Sequence, residues 1–99
     1  LLYMIVGDDK ADALQLRRAT RAAHVAYLKQ LVDEGRLILA GPRPCVDAAD
    51  PGEAGYHGSL IVAEFDSLAE AQAWAESDPY RIAGVFSQVR VQPFVKALP

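Results

Sequence analysis

The chain has 99 residues, a formal net charge of −3, a pI near 5.2 and 52% apolar residues. That suits one α+β domain with a real core, although a domain this small buries only about two-thirds of its unfolded-chain surface and gains from a partner subunit. The acidic balance argues against a nucleic-acid partner, the single cysteine, Cys45, excludes an internal disulfide and favours a reducing compartment, and no apolar run approaches the roughly 18 residues of a membrane span, so the expectation is a cytoplasmic protein free of the membrane.

Leu2 to Val6 is a short apolar run that stops at Gly7-Asp8-Asp9. It lacks a basic leader, so it is predicted as a buried strand and not a signal peptide. A helical stretch follows from about Ala11 to Glu34, with Val25, Leu28 and Val32 at helical spacing and Gly35 as its stop. Thr20 could cap a second, better-formed helix inside that stretch. Arg36 to Ala40 is a second strand, closed by Gly41-Pro42-Arg43-Pro44. Residues 45–58 lack periodicity and are predicted as a long loop, a feature that is often functional. Ser59 to Phe65 is a third strand. Ser67-Leu68-Ala69-Glu70 fits a capping box opening a helix whose inner face carries Leu68, Ala71 and Ala75. Asp78-Pro79 breaks that helix and can start a short turn through Ala83. From Val85 the chain alternates as a fourth strand, Val89 and Val91 against Gln88, Arg90 and Gln92.

The order β-α-β-β-α-β is the ferredoxin-like pattern, an antiparallel sheet with two helices on one face. Strands two and three are apolar on both sides, with Leu37 and Leu39 opposite Ile38 and Ala40, and Leu60 and Val62 opposite Ile61 and Ala63. Helices on one face cannot cover both, so a second copy packed on the open face, a homodimer, is expected.

His24 is the first candidate for chemistry. It lies beside Leu28 and Leu31 at the rim of the apolar stripe. If a helix restarts at Thr20, His24 falls in its first turn, where unpaired N–H groups disfavour a positive charge and favour a neutral imidazole able to act as a base. A packed, hydrogen-bonded histidine is the plainer explanation. Asp78 is the second candidate, as a carboxylate that orients an imidazole; before Pro79 it is equally a good helix cap. Weaker candidates are Ser59 and Arg43 at strand ends, and Arg17, Arg18 and Arg21, which could hold an anionic substrate but usually form a solvated face. His57 near Asp47, Asp50 and Glu53 matches no metal-ligand spacing, and Cys45 has no visible base beside it. Nothing in the pattern calls for a metal or a cofactor.

Several segments together resemble the YCII-related family along the whole chain. They are His24, Asp33-Glu34-Gly35-Arg36-Leu37 leading to Ala40-Gly41-Pro42, Gly58-Ser59, Ala71-Gln72-Ala73-Trp74-Ala75, and Asp78-Pro79-Tyr80 followed by Ala83-Gly84-Val85. The resemblance implies a dimeric α+β barrel, similar in fold to muconolactone isomerase, in a family one branch of which includes a dehydrochlorinase acting on a chlorinated hydroxyquinol. It also implies a histidine–aspartate pair in a cleft, at His24 and Asp78. The expectation is therefore a small cofactor-independent enzyme performing elimination, isomerisation or dehydrochlorination-like chemistry on a small polar or aromatic molecule. Ser59, Tyr80 and Arg43 are expected to line its cleft. The competing expectation is a non-catalytic ligand-binding or interaction module, in which His24 and Asp78 only hydrogen-bond and cap.

Overall fold

The computed structural model describes residues 1–99. Four strands, β1 (Leu2–Asp9), β2 (Leu37–Pro44), β3 (Tyr56–Glu64) and β4 (Phe86–Phe94), form one antiparallel sheet in the order β2-β3-β1-β4. Helices α1 (Leu14–Asp33), α2 (Leu68–Glu76) and the one-turn α3 (Pro79–Ile82) complete the β-α-β-β-α-β order, the ferredoxin-like α+β arrangement. No helix is long and apolar enough to cross a membrane.

Strand alternation sends Tyr3, Ile5, Ile61 and Ala63 to the helix side, where they pack with Leu28 and Leu31 of α1 and Ala71 and Ala75 of α2. Leu2, Met4, Val6, Leu60 and Val62 point to the other side, where neither α1 nor α2 packs. A register shift between Leu37 and Leu39 in β2 sends Leu37 to the helix side and Leu39, opposite Val62, to the open side. Leu39 and Phe94 stay exposed there.

Local signals place the ends of α2 and α3. Ser67 Oγ accepts from the Glu70 amide at 3.1 Å at the start of α2, and Asp78 Oδ1 accepts from the Tyr80 amide at 2.9 Å, with Pro79 in the first turn of α3. Leu68 departs from its expected inner position and is 39% exposed; Ala71 and Ala75 alone form the buried edge of α2.

Three boundaries differ from expectation. Helix α1 does not restart at Thr20 but runs unbroken from Leu14 to Asp33. The buried stripe Arg17, His24, Leu28 and Leu31 passes straight across Thr20, and packing of that stripe outweighs the threonine's capping preference. Strand β2 continues through Pro42 to Pro44, which an edge strand tolerates because a missing N–H can face away from the ladder. Strand β3 begins at Tyr56, so the irregular segment is shorter than predicted and holds a turn of 3-10 helix at Gly52–Ala54.

Candidate active site

Because α1 is continuous, His24 sits in mid-helix and not in a first turn. The expected helix-terminus effect on its charge therefore has no structural basis. What reaches His24 is a side chain. Its Nδ1 lies 2.7 Å from Asp78 Oδ1, with both residues buried. A carboxylate oxygen can only accept, so Nδ1 carries the proton and donates. In the neutral ring this leaves Nε2 with its lone pair, and Nε2 makes no hydrogen bond within the chain. Asp78 is thus both the α3 cap and the acceptor for His24, through one oxygen; its Oδ2 is buried without a partner.

A stack of rings fixes the imidazole. Tyr80 lies against it with centroids 3.9 Å apart and planes 11° from parallel. Phe86 meets Tyr80 edge-on at 5.5 Å. Phe86 in turn lies over Gly7 of β1, where any Cβ would collide with its ring. The glycine that opens the Gly7-Asp8-Asp9 run therefore lets the aromatic support reach the sheet.

Beside the imidazole is a cleft of about 600 Å³ between α1 and the helix-side edge of β2 and β3. Arg17, His24, Ser59, Tyr80 and Tyr56 line it, and Arg21 and Lys29 are among the cations at its mouth. Asp50 and Gly52 also line it, so the irregular segment after β2 supplies part of the wall. Arg17 is buried, donating from Nε and Nη2 to Asp9 at 2.8 and 3.2 Å and from Nη2 to Ser59 Oγ at 2.7 Å. Its guanidinium carbon lies 4.7 Å from the Tyr80 ring centroid and 5.1 Å from that of Tyr56.

The expected residues divide accordingly. Ser59, Tyr80 and His24 share the cleft. Arg43 does not line it: its Nη2 donates to Asp8 Oδ1 at 2.6 Å and to the Gly7 carbonyl at 2.9 Å, and it lies over Gly58. That register position belongs to the open side of the sheet, because Arg43, Gly58 and Asp8 are cross-strand partners in phase with Leu60 and Val62. His57 and Cys45 border a separate hollow near Asp12 and Gly55. The burial of Arg17 has a signal in the sequence, two helical turns before His24 on the stripe that continues to Leu28 and Leu31, whereas its partnership with Asp9 has none.

Two phenols carry perturbed acidities. Burial pushes the Tyr80 hydroxyl above its usual range against the opposing pull of Arg17 and Arg21, so Tyr80 offers the cleft a proton donor and not a base at neutral pH. Burial, with the Asp78 charge adding to it and Ser77 opposing, also raises Tyr27, whose hydroxyl donates to the Trp74 carbonyl at 2.8 Å. A raised folded value means stability that is full below the usual value of 10 and is lost as pH climbs through the folded values. Tyr80→Phe keeps the ring stack and removes one such group. Its alkaline unfolding midpoint, followed by circular dichroism, is expected to move upward relative to the parent; a fall would contradict the assignment.

The model of the YCII-related domain matches residues 1–95. Protein YciI of Escherichia coli O6:H1 is 56% identical over 97% of this chain and 98% of its own length. A protein of Emericella nidulans described as derivative of benzaldehyde biosynthesis cluster protein C is 31% identical, over 95% of this chain and 94% of its own. Among solved structures, the 5-chloro-2-hydroxyhydroquinone dehydrochlorinase of Burkholderia phenoliruptrix AC1100, in complex with 2,5-dihydroxybenzoquinone, superposes with a TM-score of 0.86 at 28% identity, covering 98% of this chain and 96% of that one.

Proposed function

Because the chain belongs to the YCII-related domain family, we propose that it is a small cofactor-independent enzyme whose His24–Asp78 pair performs acid–base chemistry on a small polar or aromatic molecule. The observation that carries this reading is the 2.7 Å contact between His24 Nδ1 and Asp78 Oδ1, which leaves the second ring nitrogen unpartnered beside the cleft. Nε2 takes a proton from a carbon or hydroxyl of the bound molecule. Asp78 stabilises the imidazolium that forms, without taking the proton itself. In an elimination the freed electron pair expels a leaving group such as chloride; in an isomerisation the same proton returns to a neighbouring atom. The structural likeness to a dehydrochlorinase supports the first course. Chlorinated hydroxyquinols, hydroxyquinols and lactones, offered to the parent and to His24→Ala with chloride release and product absorbance followed, test it. Conversion by the parent and not by the variant is expected. If none of these classes is converted but some bind equally to both proteins, a ligand-binding module is the better description.

The same reading includes a homodimer. The open side of the sheet presents Leu2, Met4, Leu60, Leu39 and Phe94 with no helix over it, and pairing two such sides face to face removes them from water. Sedimentation at micromolar concentration is expected to give twice the chain mass of 10.7 kDa, and Leu39→Glu to shift the protein toward the single chain. A parent that sediments only as single chains would overturn this.

A further inference from the structure

The donors left over on the cleft wall specify more than a polar ligand. Asp9 occupies the Nε–Nη2 edge of Arg17, the edge that would otherwise grip a carboxylate through two parallel bonds. What remains is Nη1, which has no partner in the chain and is open to the cleft that Arg17 lines. Ser59 Oγ already accepts from Arg17 Nη2 at 2.7 Å, so the proton of this buried hydroxyl is free to be donated elsewhere. The two donors belong to groups already bonded to one another, an arrangement that suits one oxygen atom better than a two-oxygen fork. The charge around them has a sign. Of the cations lining the cleft, Arg17 is neutralised by Asp9 and Arg18 lies 3.4 Å from Glu53, but Arg21 and Lys29 form no ion pair, and Asp50 is the one carboxylate in the wall. A chain with a formal net charge of −3 thus gathers positive charge at one cleft.

We infer that the cleft takes a small enol or phenol as its single-oxygen anion, the oxygen seated between Arg17 Nη1 and the Ser59 hydroxyl in the field of Arg21 and Lys29. This rests on the cleft being the substrate site of the proposed enzyme and names the class of molecule it accepts. Arg17 and Ser59 would stabilise the oxyanion while His24 moves the proton, so they would touch the reacting molecule and not merely frame the dyad.

The test uses para-nitrophenol, whose phenolate is visible by its absorbance and which titrates near neutrality, with uncharged para-nitroanisole and benzoate as controls. The parent is expected to bind the phenolate about tenfold or more tightly than either control and to raise the phenolate fraction of the bound probe. Arg17→Lys keeps the charge but loses the planar fork, and Ser59→Ala removes the hydroxyl; each is expected to lose most of that preference. Ser59→Ala decides the matter if Arg17→Lys does not fold. His57→Ala, beside the separate hollow and away from the cleft, is expected to keep the preference. Equal binding of phenolate and anisole, benzoate binding as tightly as phenolate, or a preference untouched by Ser59→Ala overturns it. Retained preference in a protein with no His24-dependent turnover would instead overturn the proposed chemistry.

Discussion

Replacing His24 by asparagine is expected to leave the protein folded and to lower turnover of any accepted substrate by about 10²- to 10⁴-fold, the usual worth of a positioned acid–base group. Asparagine is the informative choice. Its amide nitrogen can approach the place of Nδ1, so a donor to Asp78 Oδ1 survives, while the second ring nitrogen, the one that faces the cleft, is gone. His24→Ala removes both. It leaves the buried Asp78 without its side-chain donor and opens a hollow against Tyr80, so it should also cost about 1–3 kcal/mol of stability. Read together, kcat and thermal midpoint separate chemistry from structure. A histidine that merely packs predicts lost stability in alanine and little change of rate in asparagine. A proton-transfer role predicts lost rate in both and lost stability mainly in alanine. Full turnover by His24→Asn would rule the role out.

Much of this geometry could be read from the chain, and the misses share a cause. The capping box at Ser67 and the Asp78-Pro79 helix start are local, and both appear where short-range hydrogen bonding put them. The β-α-β-β-α-β order follows from periodicity, which is also local. Thr20 misled because its capping preference is local too, while the stripe that keeps α1 whole is satisfied by residues far off in sequence, Ser59 against Arg17 and Asp78 against His24. Arg43 misled for a related reason. A strand-end arginine is equally compatible with either side of a sheet, and the side is set by register against β3. In sequence Arg17 reads as one of three solvated arginines, because arginine is so seldom buried. The carboxylate that permits its burial, Asp9, stands eight residues before it across a turn, outside any helical spacing.

Asp78→Asn and Asp78→Ala form the second decisive pair, because Asp78 does two jobs through one oxygen. Asparagine caps helices about as well as aspartate, so the bond from the Tyr80 amide should persist and the loss of stability should be small. Its amide group also puts a neutral atom where Oδ2 is buried without a partner, so that position is no worse satisfied than before. What asparagine cannot supply is the negative charge that balances an imidazolium; the oxygen that keeps the Tyr80 bond still accepts from Nδ1, so the tautomer and the geometry are retained while the charge is lost. Losing the charge that stabilises the imidazolium is expected to lower turnover by about 10²- to 10⁴-fold. Asp78→Ala should lose as much activity and, in addition, about 1 kcal/mol for the cap and about 1–3 kcal/mol for the stranded His24 donor. For a chain of this length that is a fall in the thermal midpoint on the order of 10 °C or more. The difference between the two variants therefore isolates the carboxylate charge from the helix cap. If Asp78→Asn turns over substrate at the parent rate while Asp78→Ala only melts earlier, Asp78 is a cap and nothing more, and His24 works without an orienting partner.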